Sequence, residues 1–256
     1  SGGVGALGDL DNNGTLDLLL RGGEFRAAAG VGDGRFGAVF GLGFSRATNR
    51  MALADLDEDG RLDVMAMYSL GFAPYLGRPG WVYAPAPLVS LVVTPTAFAL
   101  GDLDGDGHLD LVNLEATTPA IHLMRGQGDG TFVAGPSATV GAAPGDLVLS
   151  DFDLDGRIDV ATSNSSGRSI SVVPLGTDGT FGATRTLPLG VEPRYLTAGD
   201  VNGDGRPDLV TGSGRVLLSR CDGTFSALSA EPFSPNSGAQ VRLSDVRGDG
   251  HPALAM

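Results

Sequence analysis

Six times the chain carries a short acidic run at fixed spacing: GDLDNNGTLD from Gly8, ADLDEDGRLD from Ala54, GDLDGDGHLD from Gly101, SDFDLDGRID from Ser150, GDVNGDGRPD from Gly199 and SDVRGDGHPA from Ser244. With the first Asp as position 1, oxygen-bearing side chains stand at positions 1, 3, 5 and 9, and Gly at position 6 permits the sharp turn that gathers them. The sets are Asp9, Asp11, Asn13 and Asp17; Asp55, Asp57, Asp59 and Asp63; Asp102, Asp104, Asp106 and Asp110; Asp151, Asp153, Asp155 and Asp159; and Asp200, Asn202, Asp204 and Asp208. The backbone carbonyl at position 7, from Thr15, Arg61, His108, Arg157 and Arg206, is expected to complete each shell. An all-oxygen shell of several carboxylates and a carbonyl suits Ca²⁺, whereas Mg²⁺ demands tight octahedral geometry. Zinc is disfavoured because neither Cys nor a His side chain occupies a ligand position.

Charge argues the same way. Three or four carboxylates in one loop repel unless a cation neutralises them. Five Ca²⁺ ions would move the formal charge from -13 to -3. The sixth loop departs, with Arg247 at position 3 and Ala253 at position 9. A guanidinium there can pair with Asp245 and Asp249 in place of an ion, so about five structural sites are expected.

The first Asp residues, Asp9, Asp55, Asp102, Asp151, Asp200 and Asp245, lie 46, 47, 49, 49 and 45 residues apart. Before each loop, apolar residues alternate as in a strand, and after it comes a second apolar run, so each loop joins two strands of a hairpin. Only Gly, Ala or Ser precedes the first Asp, which implies restricted space there. A further Asp-Gly turn leads to Phe36, Phe132, Phe181 and Phe225, marking a second hairpin. Four strands in about 47 residues is the arithmetic of a propeller blade. The expected fold is all-β: a single β-propeller domain over residues 1–256, six four-stranded repeats beginning near 1, 47, 94, 143, 192 and 237, the last truncated.

Composition bounds the partners. The 30 acidic residues against 17 basic ones, all Arg, argue against nucleic acid or an anionic membrane. Cys221 is the sole cysteine, which excludes an intrachain disulfide. No apolar run of membrane-spanning length and no leader pattern are seen, so the expectation is a soluble chain whose export signal has been removed. Nothing in the residues argues for catalysis: His108 and His251 occupy position 7 of loops, and neither a nucleophile elbow nor a zinc motif is present.

The second repeat lacks the Asp-Gly-x-Phe turn and instead runs YSLGFAPYLGRPGWVYAPAP from Tyr68. Tyr68, Tyr75, Trp81 and Tyr83 are therefore a candidate ligand surface, since exposed aromatic faces stack on sugars and anchor protein interfaces. The alternative is that they fill the gap left by the missing turn Phe. Asn13 and Asn164 begin Asn-x-Ser/Thr sequons, and neither is expected to be glycosylated in a bacterial chain.

These loops and their period resemble the FG-GAP or VCBS repeat family, found in integrin alpha heads, secreted bacterial proteins and fungal lectins. The resemblance spans essentially the whole chain. It implies a propeller of six to eight blades with calcium loops between the first two strands of each blade, and it implies no single activity. The expectation is a calcium-stabilised, extracellular, non-catalytic recognition or adhesion module that binds a glycan or an extracellular protein. The alternatives are a structural spacer of a larger secreted or surface protein and the propeller of a polysaccharide lyase. Self-association through the incomplete sixth repeat is a further expectation, and placement outside cells follows from loops suited to millimolar calcium.

Overall fold

A computed structural model describes residues 3–44, 50–115, 117–220, 222–227, 242–244 and 253–255. Among them there is no helix. Every element is a strand paired antiparallel to its neighbour, as short alternating apolar runs separated by Asp-Gly turns dictate. The first sheet is β1 (Gly3–Gly8), β2 (Asp17–Arg21), β3 (Arg26–Ala28) and β4 (Phe40–Gly41), in sequence order. The second is β5 (Arg50–Ala54), β6 (Asp63–Tyr68), β7 (Gly71–Arg78) and β8 (Val82–Pro85), with β9 (Val89–Ser90) also pairing β7. Next come β10 (Pro95–Gly101), β11 (Asp110–Glu115), β12 (Ala120–Gly126) and β13 (Phe132–Thr139), then β14 (Pro144–Ser150), β15 (Asp159–Asn164), β16 (Ser169–Val173) and β17 (Arg185–Pro188). The fifth sheet is β18 (Leu196–Gly199), β19 (Asp208–Thr211), β20 (Val216–Ser219) and β21 (Phe225–Ala227), and the sixth repeat contributes β22 (Arg242–Ser244) and β23 (Ala253–Ala255).

The chain forms two compact units, Ser1–Pro95 with Arg125–Val133, and Thr96–Met124 with Ala134–Met256. In the first, Leu19, Phe25 and Ala27 of one sheet pack with Val64, Ala66, Ala73 and Tyr75 of the next. In the second, Val112, Leu114, Ile121 and Leu123 meet Leu147, Val160 and Val173 across one sheet pair, and Ala161, Ile170 and Val172 meet Leu196, Leu209 and Leu217 across the following one. Stacking buries the middle strands on both faces: β6 is mainly apolar, whereas β15 is buried throughout yet carries the polar Thr162, Ser163 and Asn164.

The hairpin register repeats: Gly8 pairs Asp17, Ala54 pairs Asp63, Ser150 pairs Asp159, Gly199 pairs Asp208, and Ser244 pairs Ala253. The small residue before each loop has a local cause. A Cβ on Gly8 would lie 2.6 Å from Leu62 Cδ1 and 2.9 Å from Leu53 Cδ1, so the next repeat's leucines occupy the space. The incoming face of the first sheet lacks such burial: Leu7 and Leu16 are 56 % and 63 % exposed. Their counterparts Leu53 and Leu62, and Leu149 and Ile158, pack against cores.

Candidate metal centre

All five described loops share one backbone. Position 6 is left-handed in each, with φ of 86° at Gly14, 82° at Gly60, 92° at Gly107, 86° at Gly156 and 81° at Gly205. Position 4 is left-handed too, at Asn12, Glu58, Gly105, Leu154 and Gly203. Position 6 was legible from its invariant Gly. Position 4 was not, and the signal available was Asn12, Gly105 and Gly203, types that tolerate this region.

The two turns aim backbone N–H groups inward. Asp9 accepts from Asn13 at 2.9 Å and Gly14 at 2.7 Å; Asp55 accepts from Asp59 at 3.1 Å and Gly60 at 2.8 Å. Asp102, Asp151 and Asp200 are held alike by Gly107, Gly156 and Gly205 at 3.1, 2.8 and 2.7 Å. Position 1 is thereby held by the loop's own backbone.

Position 9 is buried in each of the five described loops: Asp17, Asp63, Asp110 and Asp208 are 0 % exposed and Asp159 is 1 %. One oxygen accepts the position-2 N–H, from Leu10, Leu56, Leu103, Phe152 and Val201 at 2.7, 2.6, 3.0, 3.1 and 3.1 Å. In four loops the other oxygen accepts from the third strand or the residues flanking it: Gly30 to Asp17 at 2.8 Å, Gly77 to Asp63 at 2.6 Å, Leu175 to Asp159 at 3.2 Å and Ser219 to Asp208 at 2.9 Å. The sequence marks these residues as ligands only. The structure gives them a second task, locking each loop to its sheet.

Positions 1, 3 and 9 converge. In the triads Asp9, Asp11, Asp17; Asp55, Asp57, Asp63; Asp102, Asp104, Asp110; and Asp151, Asp153, Asp159, one oxygen from each residue lies within 4.8 Å of the others. The fifth loop has Asn202 at position 3, where its N–H and side-chain oxygen bond Asp200 and Asp204 at 3.3 and 3.0 Å. Position 5 also closes an Asx turn: Asn13, Asp59, Asp106, Asp155 and Asp204 accept the position-7 N–H of Thr15, Arg61, His108, Arg157 and Arg206 at 2.8, 3.0, 2.8, 3.0 and 3.0 Å. Arg157 also pairs with Asp155, and Arg78 with Asp57 and Asp59.

The donor set fits a hard cation. It is oxygen throughout, and Asp57 Oδ1 is buried without any hydrogen-bond partner. Burial pushes the Asp63 carboxyl up to about 6, with Asp57 and Asp55 adding to the rise. Burial likewise pushes Asp159 up to about 6, aided by Asp153 and Asp155, and it raises Asp208. In contrast, N–H groups led by Gly205 hold Asp200 below the usual carboxylate range. Charge is thus concentrated where a cation would relieve it.

One expectation is corrected. Tyr75 and Tyr83 are not surface residues: they are 7 % and 8 % exposed, and Phe44 stacks on Tyr75 with centroids 4.2 Å apart. Trp81 is half-buried, with its ring edge against Phe40 at 5.0 Å, and Tyr68 lines the same core. These aromatics fill the sheet interface, because a chain lacking the turn Phe still has that volume to fill. Asn164 is fully buried and its amide donates to Ser169 and Ser171 at 3.2 and 3.0 Å, so the folded chain cannot offer it for glycosylation. Cys221, Asp245, Arg247 and Asp249 lie outside the described residues.

The profile of the FG-GAP-like repeat matches residues 9–66, 102–162 and 151–211. The chain belongs to the FG-GAP-like repeat family. Its β-propeller repeat accounts for the recurring four-stranded sheets and for the loop between their first two strands. No curated protein matches it in sequence. Among solved structures, a lectin of Agrocybe aegerita, described for its recognition of non-reducing terminal N-acetylglucosamine, superposes with a TM-score of 0.70 at 22 % identity, over 97 % of this chain and 73 % of that one. BBS1N in complex with ARL6DN matches with a TM-score of 0.66 at 11 % identity, over 98 % and 74 %. The periplasmic gluconolactonase PpgL of Pseudomonas aeruginosa matches at 0.58 and 14 %, over 88 % and 69 %. At such identities the likeness is one of fold.

Proposed function

We propose that this FG-GAP-like chain is a calcium-stabilised, extracellular β-propeller that works as a non-catalytic recognition module. The observation that carries the metal reading is the fourfold recurrence of an Asp triad within 4.8 Å, each anchored by a buried position-9 carboxylate. When bound, Ca²⁺ supplies neutralising charge. The chain's own residues hold positions 1 and 9 in place through backbone N–H bonds. About five ions are expected, one per described loop. An ion that binds only the folded state stabilises it by roughly 2.7 kcal/mol per site at a hundredfold excess over Kd.

The recognition reading rests on a different part of the chain. A shallow cavity of about 630 Å³ is lined by Ser165, Ser166, Arg168, Gly190, Val191 and Glu192, between the β15–β16 turn and the β17–β18 connection. Hydroxyl, guanidinium and carboxylate groups around one small apolar residue suit a polyhydroxylated ligand such as a glycan. The fold shared with a sugar-binding lectin supports that choice. No helix among the described residues is long and apolar enough to cross a membrane.

A glycan array probed with the calcium-loaded protein and with Arg168→Ala tests the proposal. Saturable binding by the wild type that Arg168→Ala weakens is expected. Equal signals from the two proteins would remove the cavity from the recognition surface, and inertness of both would leave a spacer role.

A further inference from the structure

The second loop carries a cation of its own. Arg78 is the last residue of β7 and follows Gly77, whose N–H binds Asp63. Its Nη2 lies 2.8 Å from Asp57 Oδ2 and its Nη1 3.0 Å from Asp59 Oδ2. Nη1 also donates to the Gly77 carbonyl at 2.8 Å, which fixes the fork over the loop. Asp57 belongs to the converging triad, so one guanidinium is already bound to a carboxylate that an ion would draw upon. The remaining oxygen, Asp57 Oδ1, is the buried one without a partner.

The corresponding positions, one residue after the third-strand donor, are Val31 in the first loop, Gly176 in the fourth and the exposed Arg220 in the fifth. Val31 and Gly176 cannot neutralise a carboxylate. A planar guanidinium bonded to two carboxylates holds them together much as an ion does, and it also repels an incoming divalent cation.

We propose that Arg78 is an internal counter-ion of the second loop, weakening its hold on Ca²⁺ and keeping that loop closed when calcium is removed. The proposal rests on the calcium reading above. The first loop, which has Val31 there, depends on the ion for closure; in the fourth, Arg157 pairs with Asp155 but not with the converging triad.

The test counts ions. Wild type, Arg78→Gln, Arg78→Lys and the control Arg35→Gln, whose guanidinium pairs with Asp33 away from the loops, are dialysed against a series of buffered calcium concentrations, and bound calcium is measured by atomic emission. Arg78→Gln is expected to fill one site at a roughly tenfold lower calcium concentration than wild type. Arg78→Lys, which keeps the charge but not the fork, should fall between them and serves if the Gln variant does not fold. In chelator, the Leu56 and Gly77 amides should stay protected from hydrogen exchange in wild type and lose protection in Arg78→Gln, while those of Leu10 and Gly30 exchange in both. Superimposable filling curves and equal protection overturn the proposal but not the calcium reading. No bound calcium in any variant overturns both.

Discussion

The Asp63 carboxylate clamps Gly77: Oδ1 accepts the Gly77 N–H at 2.6 Å while Oδ2 accepts the Leu56 N–H at 2.6 Å, and the side chain is fully buried. A loop that reads as a metal shell is therefore also a strand-to-strand tie. Asp63→Asn keeps one acceptor and sets an NH₂ group against a backbone N–H. We expect a loss of about 2–3 kcal/mol by denaturant unfolding, in calcium and in chelator alike. Asp59→Asn, at half-exposed position 5, should cost less than 1 kcal/mol in chelator. A loss at Asp63 that vanishes in chelator would show that metal ligation is its only task.

The sign of the pH response should invert with calcium. Without an ion, burial pushes the Asp63 and Asp159 carboxyls up to about 6, above the usual carboxylate range. Between those values the folded chain retains protons that the unfolded chain has released, so stability falls as pH rises from about 4 to 6 and levels off beyond. With calcium bound, the carboxylates are held ionised, and acidification expels the ion and lowers stability. Melting temperatures across pH 4.5–7.5, with calcium and with chelator, should slope in opposite directions. Parallel slopes refute this account.

How much was legible follows from what kind of relation each residue makes. Positions 1, 3 and 9 could be read because their chemistry lies within nine residues and recurs. Position 5 has the right type too, and the pattern did not show that it also closes an Asx turn onto position 7, as Asp106 does with His108. The Arg78–Asp57 pair joins a strand end to a loop 21 residues earlier, which no local pattern marks. The aromatic cluster misled for a similar reason: Phe44, which covers Tyr75, comes from the preceding repeat. Repeat length and hairpin register were readable throughout, because small residues such as Gly8 answer to the bulk of Leu53 and Leu62 in the next repeat.

Leu154 offers a stabilising substitution. It holds φ of 59° at position 4 of the fourth loop and is 48 % exposed, whereas the third and fifth loops place Gly there. A left-handed conformation costs a Cβ-bearing residue roughly 1–2 kcal/mol, and glycine loses about 0.5–1 kcal/mol to unfolded-state entropy. Leu154→Gly should therefore gain about 0.5–1 kcal/mol and leave the number of bound ions unchanged. A destabilised variant would mean that the exposed Leu side chain makes a contact worth more than the strain.

Tyr83 tests whether the aromatic cluster is core or surface. Its ring lies among Phe44, Tyr75 and Phe25, and its hydroxyl is buried without a hydrogen-bond partner. Burial, with the Asp63 and Asp17 charges adding to it, raises the phenol well above its usual range, so the group stays neutral. Removing an unsatisfied buried hydroxyl returns its desolvation cost, and Tyr83→Phe should gain about 1 kcal/mol. Tyr83→Ala, which leaves a cavity, should lose about 3–5 kcal/mol. A residue serving a surface ligand would give the reverse pattern, with both substitutions near neutral for stability and both harmful to binding. Chemical denaturation of the two variants, read beside the same glycan array, separates those outcomes.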